Sequence, residues 1–88
     1  MPAVSGGSPE ERVTGVVQRL LTERSLSPVI GAADDLRVAG LTSLDMISLV
    51  LAVEAEFGLL VPESQIKPDN FQSIAAISTL VSALLAAA

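Results

Sequence analysis

The stretch Gly40-Leu41-Thr42-Ser43-Leu44-Asp45-Met46-Ile47-Ser48-Leu49-Val50-Leu51 hands a loop over to the most apolar helix of the chain. Its apolar residues recur at helical spacing as far as Phe57, and Gly58 supplies the stop signal, which predicts a helix over 43–57. Placing side chains at about 100° per residue gives two apolar stripes rather than one. Met46, Leu49, Val50, Val53 and Phe57 form the wider stripe, the expected core face. Leu44, Ile47 and Leu51 form the second, continued by Glu54. A helix in a small bundle cannot bury every side, so this second stripe is expected to be partly exposed, an apolar surface edged by acids and open to docking. Ser43 stands where the helix begins. An anion joined to its hydroxyl would face unpaired backbone N–H groups and the positive end of the helix dipole.

Working outward, the first helix opens at Ser8, with Pro9 at the first helical position and Glu11 completing Ser-x-x-Glu. Val13, Val16, Val17, Leu20 and Leu21 give it one apolar face to about Arg24, while Arg12, Gln18, Arg19 and Glu23 lie off that face. Between Ser25 and Thr42 the period is lost, and Pro28, Gly31 and Gly40 punctuate a long loop. Leu26, Val29, Ile30, Leu36 and Val38 are its candidate apolar anchors; a loop of this length in a small domain needs packing or function to justify it. After Gly58, Leu59-Leu60-Val61 forms an apolar strap ended by Pro62, and 63–70 has room for one short helical turn before Pro68 intervenes. The last helix starts near Gln72 or Ser73, with Ser73 as its cap, and runs to Leu85 on a core stripe of Ile74, Ile77, Leu80, Val81, Leu84 and Leu85. The fold class is therefore all-α: a small four-helix bundle of three main helices and one short one, with a long loop between the first two. Residues 1–7 lack any period and are expected to be a disordered leader, with the domain over 8–88.

Composition limits the chemistry. A chain of 88 residues suits one core but not an elaborate catalytic cleft, and the absence of Cys and His removes thiol nucleophiles, imidazole bases and the common zinc sets. A hydrolase built on Ser43 therefore lacks a base. The net charge of −5 argues against nucleic acid and anionic membranes as partners and for basic protein surfaces. The excess lies wholly beyond residue 30, where seven acids face only Arg37 and Lys67. No secretory signal pattern opens the chain, and the apolar tail is too short to span a bilayer, so a cytoplasmic protein is expected, with a monomer as the default for so small an acidic chain.

A serine at a helix start is ordinarily just a cap. Here the surroundings say more. Asp35-Leu36, Gly40-Leu41-Thr42-Ser43-Leu44-Asp45, Leu49-Val50, Glu54, Glu56-Phe57-Gly58 and Val61-Pro62 stand in an order and spacing that resemble the phosphopantetheine-attachment region of acyl and peptidyl carrier proteins. Phe71-x-Ser73-Ile74-x-x-Ile77 is similar to the family's entry into its last helix, so the resemblance extends to about Leu85. It implies that a phosphopantetheinyl transferase attaches 4′-phosphopantetheine from coenzyme A to Ser43, and that the arm's thiol carries an acyl or aminoacyl group as a thioester. It also implies the partners: an acyl- or aminoacyl-loading enzyme and a downstream synthase, condensing or transferase enzyme of a polyketide, nonribosomal peptide or related pathway. Such a carrier catalyses nothing itself. Thr42, Leu44, Asp45, Ile47, Leu51 and Glu54 are the candidate partner-binding residues, with Glu56 a further acid able to steer basic partners. Thr42 stands where fatty-acid carriers usually have Asp, and Ser48 and Ala55 where they often have acids, which points to a carrier dedicated to its own pathway enzymes. The alternative from another class is an unmodified helical domain that binds a partner through Leu44, Ile47 and Leu51.

Overall fold

Three α-helices, Pro9–Glu23 (α1), Ser43–Phe57 (α2) and Ile74–Ala87 (α3), account for most of the chain, and no strand occurs among the described residues. The computed structural model describes residues 7–87; apart from Gly7, the leader expected over 1–7 lies outside them. In place of one short helix, Glu63–Gln65 and Pro68–Asn70 form two single 3₁₀ turns, because Pro68 interrupts the segment and itself opens the second turn.

Each helix begins as the sequence predicts. Ser8 Oγ accepts from the Glu11 N–H at 3.2 Å while Glu11 Oε1 accepts from the Ser8 N–H at 2.8 Å, a reciprocal cap with Pro9 at the first turn. Ser73 Oγ accepts from the Ala76 N–H at 3.0 Å at the start of α3. The end of α1 is less orthodox. Arg24 is its C-cap, the following Ser25 has φ at 60°, and the Leu26 N–H returns to the Leu21 carbonyl at 2.8 Å, a left-handed stop made without glycine. Gly58, at φ 62°, ends α2 in the usual way.

The core is a seam of branched aliphatic side chains with α1 packed against both other helices. Val13, Val17 and Leu21 from α1 meet Leu49 and Val53 from α2 and Ile74, Ile77 and Val81 from α3, all fully enclosed. The long loop is held down by two buried leucines, Leu36 and Leu41, and by Leu26 and Ile30 packed beside them. Backbone bonds tie it to the start of α3: the Leu36 N–H donates to the Gln72 carbonyl at 2.8 Å and the Ala75 N–H to the Ala32 carbonyl at 2.9 Å. Of the other expected anchors, Val29 and Val38 point into solvent, as does Leu60 in the strap. Leu85, expected on the core stripe of α3, is also exposed, while Leu84 beside it is partly buried against the core.

One polar cluster crosses this seam. Arg12, expected off the apolar face, lies 4.4 Å over the Phe57 ring and donates through Nε to Glu56 Oε2 at 2.9 Å and through Nη2 to the Glu56 carbonyl at 2.6 Å. It thereby covers the last carbonyls of α2 with a cation, which suits a helix C-terminus.

Candidate functional site

The first residue of α2 is Ser43, and its cap is the residue before it. Thr42 Oγ1 accepts from the Asp45 N–H at 3.3 Å, and Asp45 Oδ2 accepts from the Thr42 N–H at 2.8 Å and from the Thr42 hydroxyl at 3.0 Å. The Met46 N–H is satisfied by the Thr42 carbonyl. Ser43 is thus relieved of capping, exposed, and placed beside the orphan N–H groups of the first turn. That geometry fits a phosphate ester: the hydroxyl is accessible, and the unpaired donors and the dipole favour an anion.

Asp45 is only 6% exposed and has a second partner, the Arg24 guanidinium at the end of α1. Hydrogen bonds from the Thr42 backbone, then from Arg24, outweigh burial and hold its carboxyl below the ordinary value of 3.8. The sign of the consequence is fixed. A carboxyl with a depressed folded pKa contributes stability that is complete above its unfolded pKa and is lost as pH falls through the folded one. Asp35, held down by Arg37, adds to the same acid limb. Melting temperature is expected to be flat near neutrality and to fall below about pH 3.9. The deficit of Asp45→Asn relative to the parent is expected to shrink over that same window; a deficit that stays constant into acid would show that the charge contributes nothing.

The six candidate partner residues fall into two sets. Leu44, Ile47 and Leu51 are 81%, 51% and 60% exposed, a continuous apolar stripe running along α2 from Ser43, and Thr42 is exposed at its head. The acids behave differently. Asp45 faces inward, bound as described, and Glu54 is half-buried, its Oε2 accepting from the Val61 N–H at 2.9 Å to pin the strap. Glu56 is likewise engaged, by Arg12. A partner approaching α2 therefore meets apolar side chains first. Reading from the sequence missed Arg24 altogether, since its partner lies 21 residues away. Thr42-x-x-Asp45, in contrast, has the spacing of a capping box and carried a usable signal.

Beside Ser43 a cavity of about 110 Å³ opens between the loop, α2 and the second 3₁₀ turn. Leu36, Leu41, Met46, Leu49 and Phe71 form its apolar wall.

The family described as phosphopantetheine attachment site matches residues 11–81, most of the chain. The chain belongs to this family of carrier proteins. Such proteins bear a 4′-phosphopantetheine group, tether an acyl or aminoacyl intermediate to its thiol, and are not catalysts. Among relatives, the carrier is 39% identical to aminoacyl carrier protein 1 of Bradyrhizobium diazoefficiens over 70 residues, 80% of this chain and 78% of the other. It is 36% identical to aminoacyl carrier protein 2 of the same organism over 72 residues, 82% and 81% of the two chains. Its fold matches a chain in the crystal structure of Bradyrhizobium japonicum glycine:[carrier protein] ligase complexed with its cognate carrier protein and an analogue of glycyl adenylate. The TM-score there is 0.76 at 35% identity, covering 85% of this carrier and 96% of that chain. No described helix of the carrier is long and apolar enough to cross a membrane.

Proposed function

We propose that this carrier bears its phosphopantetheine arm on Ser43 and transports an amino acid as the thioester. The observation that carries the reading is the position of Ser43: exposed, first in α2, and freed from capping by Thr42. In the attachment step the Ser43 hydroxyl attacks the phosphorus that bears pantetheine in coenzyme A. The new O–P bond forms as the pyrophosphate O–P bond breaks, adenosine 3′,5′-bisphosphate leaves, and the hydroxyl proton passes to a base on the transferase. The chain has no His to take that proton, and no Cys, so the thiol that holds the cargo also arrives with the arm. An amino acid:carrier-protein ligase loads the thiol, as the names of the relatives suggest, and a downstream synthase, condensing or transferase enzyme discharges it. Leu44, Ile47 and Leu51 supply the partner contact, with Thr42 at its edge and Asp45 and Glu54 shaping the surface from behind. The functional unit is residues 8–88, acting as a cytoplasmic monomer with 1–7 as a leader.

The test is incubation with coenzyme A and a broad-specificity phosphopantetheinyl transferase, followed by intact mass and peptide mapping. The expected result is one arm per chain on the peptide that contains Ser43, and subsequent loading with an amino acid by a ligase of the related type. An arm that never appears, or that maps elsewhere, overturns the proposal.

A further inference from the structure

We infer that Arg24 is a positioning residue for modification at Ser43, acting by binding Asp45. The inference rests on the reading of Ser43 as the attachment residue and adds a role for a side chain on a different helix.

The start of α2 contains a conflict. Its N-terminal dipole and orphan N–H groups favour the phosphate that Ser43 would receive. Asp45, two residues on, sets a full negative charge within the same first turn and disfavours it. Asp45 is not dispensable, because its carboxylate closes the cap with Thr42 and so frees Ser43. Arg24 resolves the conflict. Its guanidinium pairs with the buried carboxylate, so the cap is kept while its charge is cancelled, and the positive end of α2 is left unopposed towards Ser43. The Arg24 side chain remains 43% exposed while that of Asp45 is buried. Five Arg and Lys residues serve the whole chain, and Arg12 and Arg37 are committed elsewhere, to Glu56 and Asp35. The pairing also joins the C-cap residue of α1 to the first turn of α2.

An ordinary structural ion pair and a charge that serves attachment make opposite forecasts for the double variant. Arg24→Gln leaves Asp45 uncompensated, and its kcat/KM for arm transfer from coenzyme A, followed by intact mass, is expected to fall about tenfold, the worth of a modest charge–charge interaction. Arg24→Lys keeps the charge and is expected to recover most of the rate. Arg24→Gln/Asp45→Asn removes both charges; it melts lower than Arg24→Gln because the cap is weakened, yet is expected to be modified faster. Thermal melting recorded on the same samples separates the two effects. A double variant that is both less stable and slower than Arg24→Gln overturns the inference, as does Arg24→Gln modified at the parental rate. If Arg24→Gln does not fold, the double variant is compared with the parent, and a loss of tenfold or more counts against the role. Failure of the parent to gain an arm on Ser43 is a different result: it removes the reading on which the inference stands.

Discussion

Replacing Ser43 by Ala is expected to abolish arm attachment completely while leaving the fold as stable as the parent. The two halves of that statement come from the same geometry. Ser43 is the first helical residue, exposed, and the cap is made by its neighbour, so the hydroxyl supports no other group of the fold. An exposed substitution of this kind shifts stability by no more than about 0.5 kcal/mol. Thr42→Val is the natural comparison. It deletes the hydroxyl that receives the Asp45 N–H, with an expected loss of about 1 kcal/mol, or about 4–8 °C in melting temperature, yet it leaves Ser43 in place to be modified. Intact mass and thermal melting should therefore order the pair oppositely: no arm and a parental melt for Ser43→Ala, an arm and a lowered melt for Thr42→Val. An arm found on Ser43→Ala would end the assignment of this residue.

That contrast also measures how much of the site the sequence held. A serine at the mouth of an apolar helix was legible, because helix starts are written in local chemistry: small hydroxyl residues, first-turn acids and the onset of a 3.6-residue period. The same local grammar located Ser8, Pro9 and Glu11, and later Ser73. The assignment of the cap to Thr42 rather than Ser43 was also written locally, in Thr42-x-x-Asp45, but reading the acid as partner-facing concealed it. Charge pairings between helices had no such signature. Arg24 with Asp45 and Arg12 with Glu56 join positions 21 and 44 residues apart, and periodicity says only that each lies off an apolar stripe. Loop apolar residues were illegible for a related reason. Leu36 is buried and Val38, two positions on, is exposed, and without a period nothing in the sequence separates them.

The two apolar stripes of α2 should separate cleanly under substitution. Leu49 is 1% exposed and packed in the seam shared by all three helices, so Leu49→Ala removes buried volume that the neighbours cannot refill and is expected to cost about 2–5 kcal/mol. A chain of 88 residues commonly has a total stability of about 4–13 kcal/mol, so the loss is a large fraction of it and should lower the melting temperature by at least about 10 °C. Leu51 and Ile47 belong to the same helix and are as hydrophobic, but stand 60% and 51% exposed. Burial, not residue type, decides the outcome, so Leu51→Asp and Ile47→Asp are expected to cost no more than about 1 kcal/mol each. Their effect should instead fall on the partners. An acid in the middle of an apolar contact must be desolvated without a counter-charge, so loading by the ligase is expected to drop at least about tenfold for each variant, with the arm attached and the fold retained. The same measurement carries its own refutation: folded, arm-bearing Leu51→Asp and Ile47→Asp proteins that are loaded and discharged at the parental rate would mean that the stripe is not the interface. In that event the exposed apolar surface of α2 would need another occupant, since a stripe this exposed has no part in holding the bundle together.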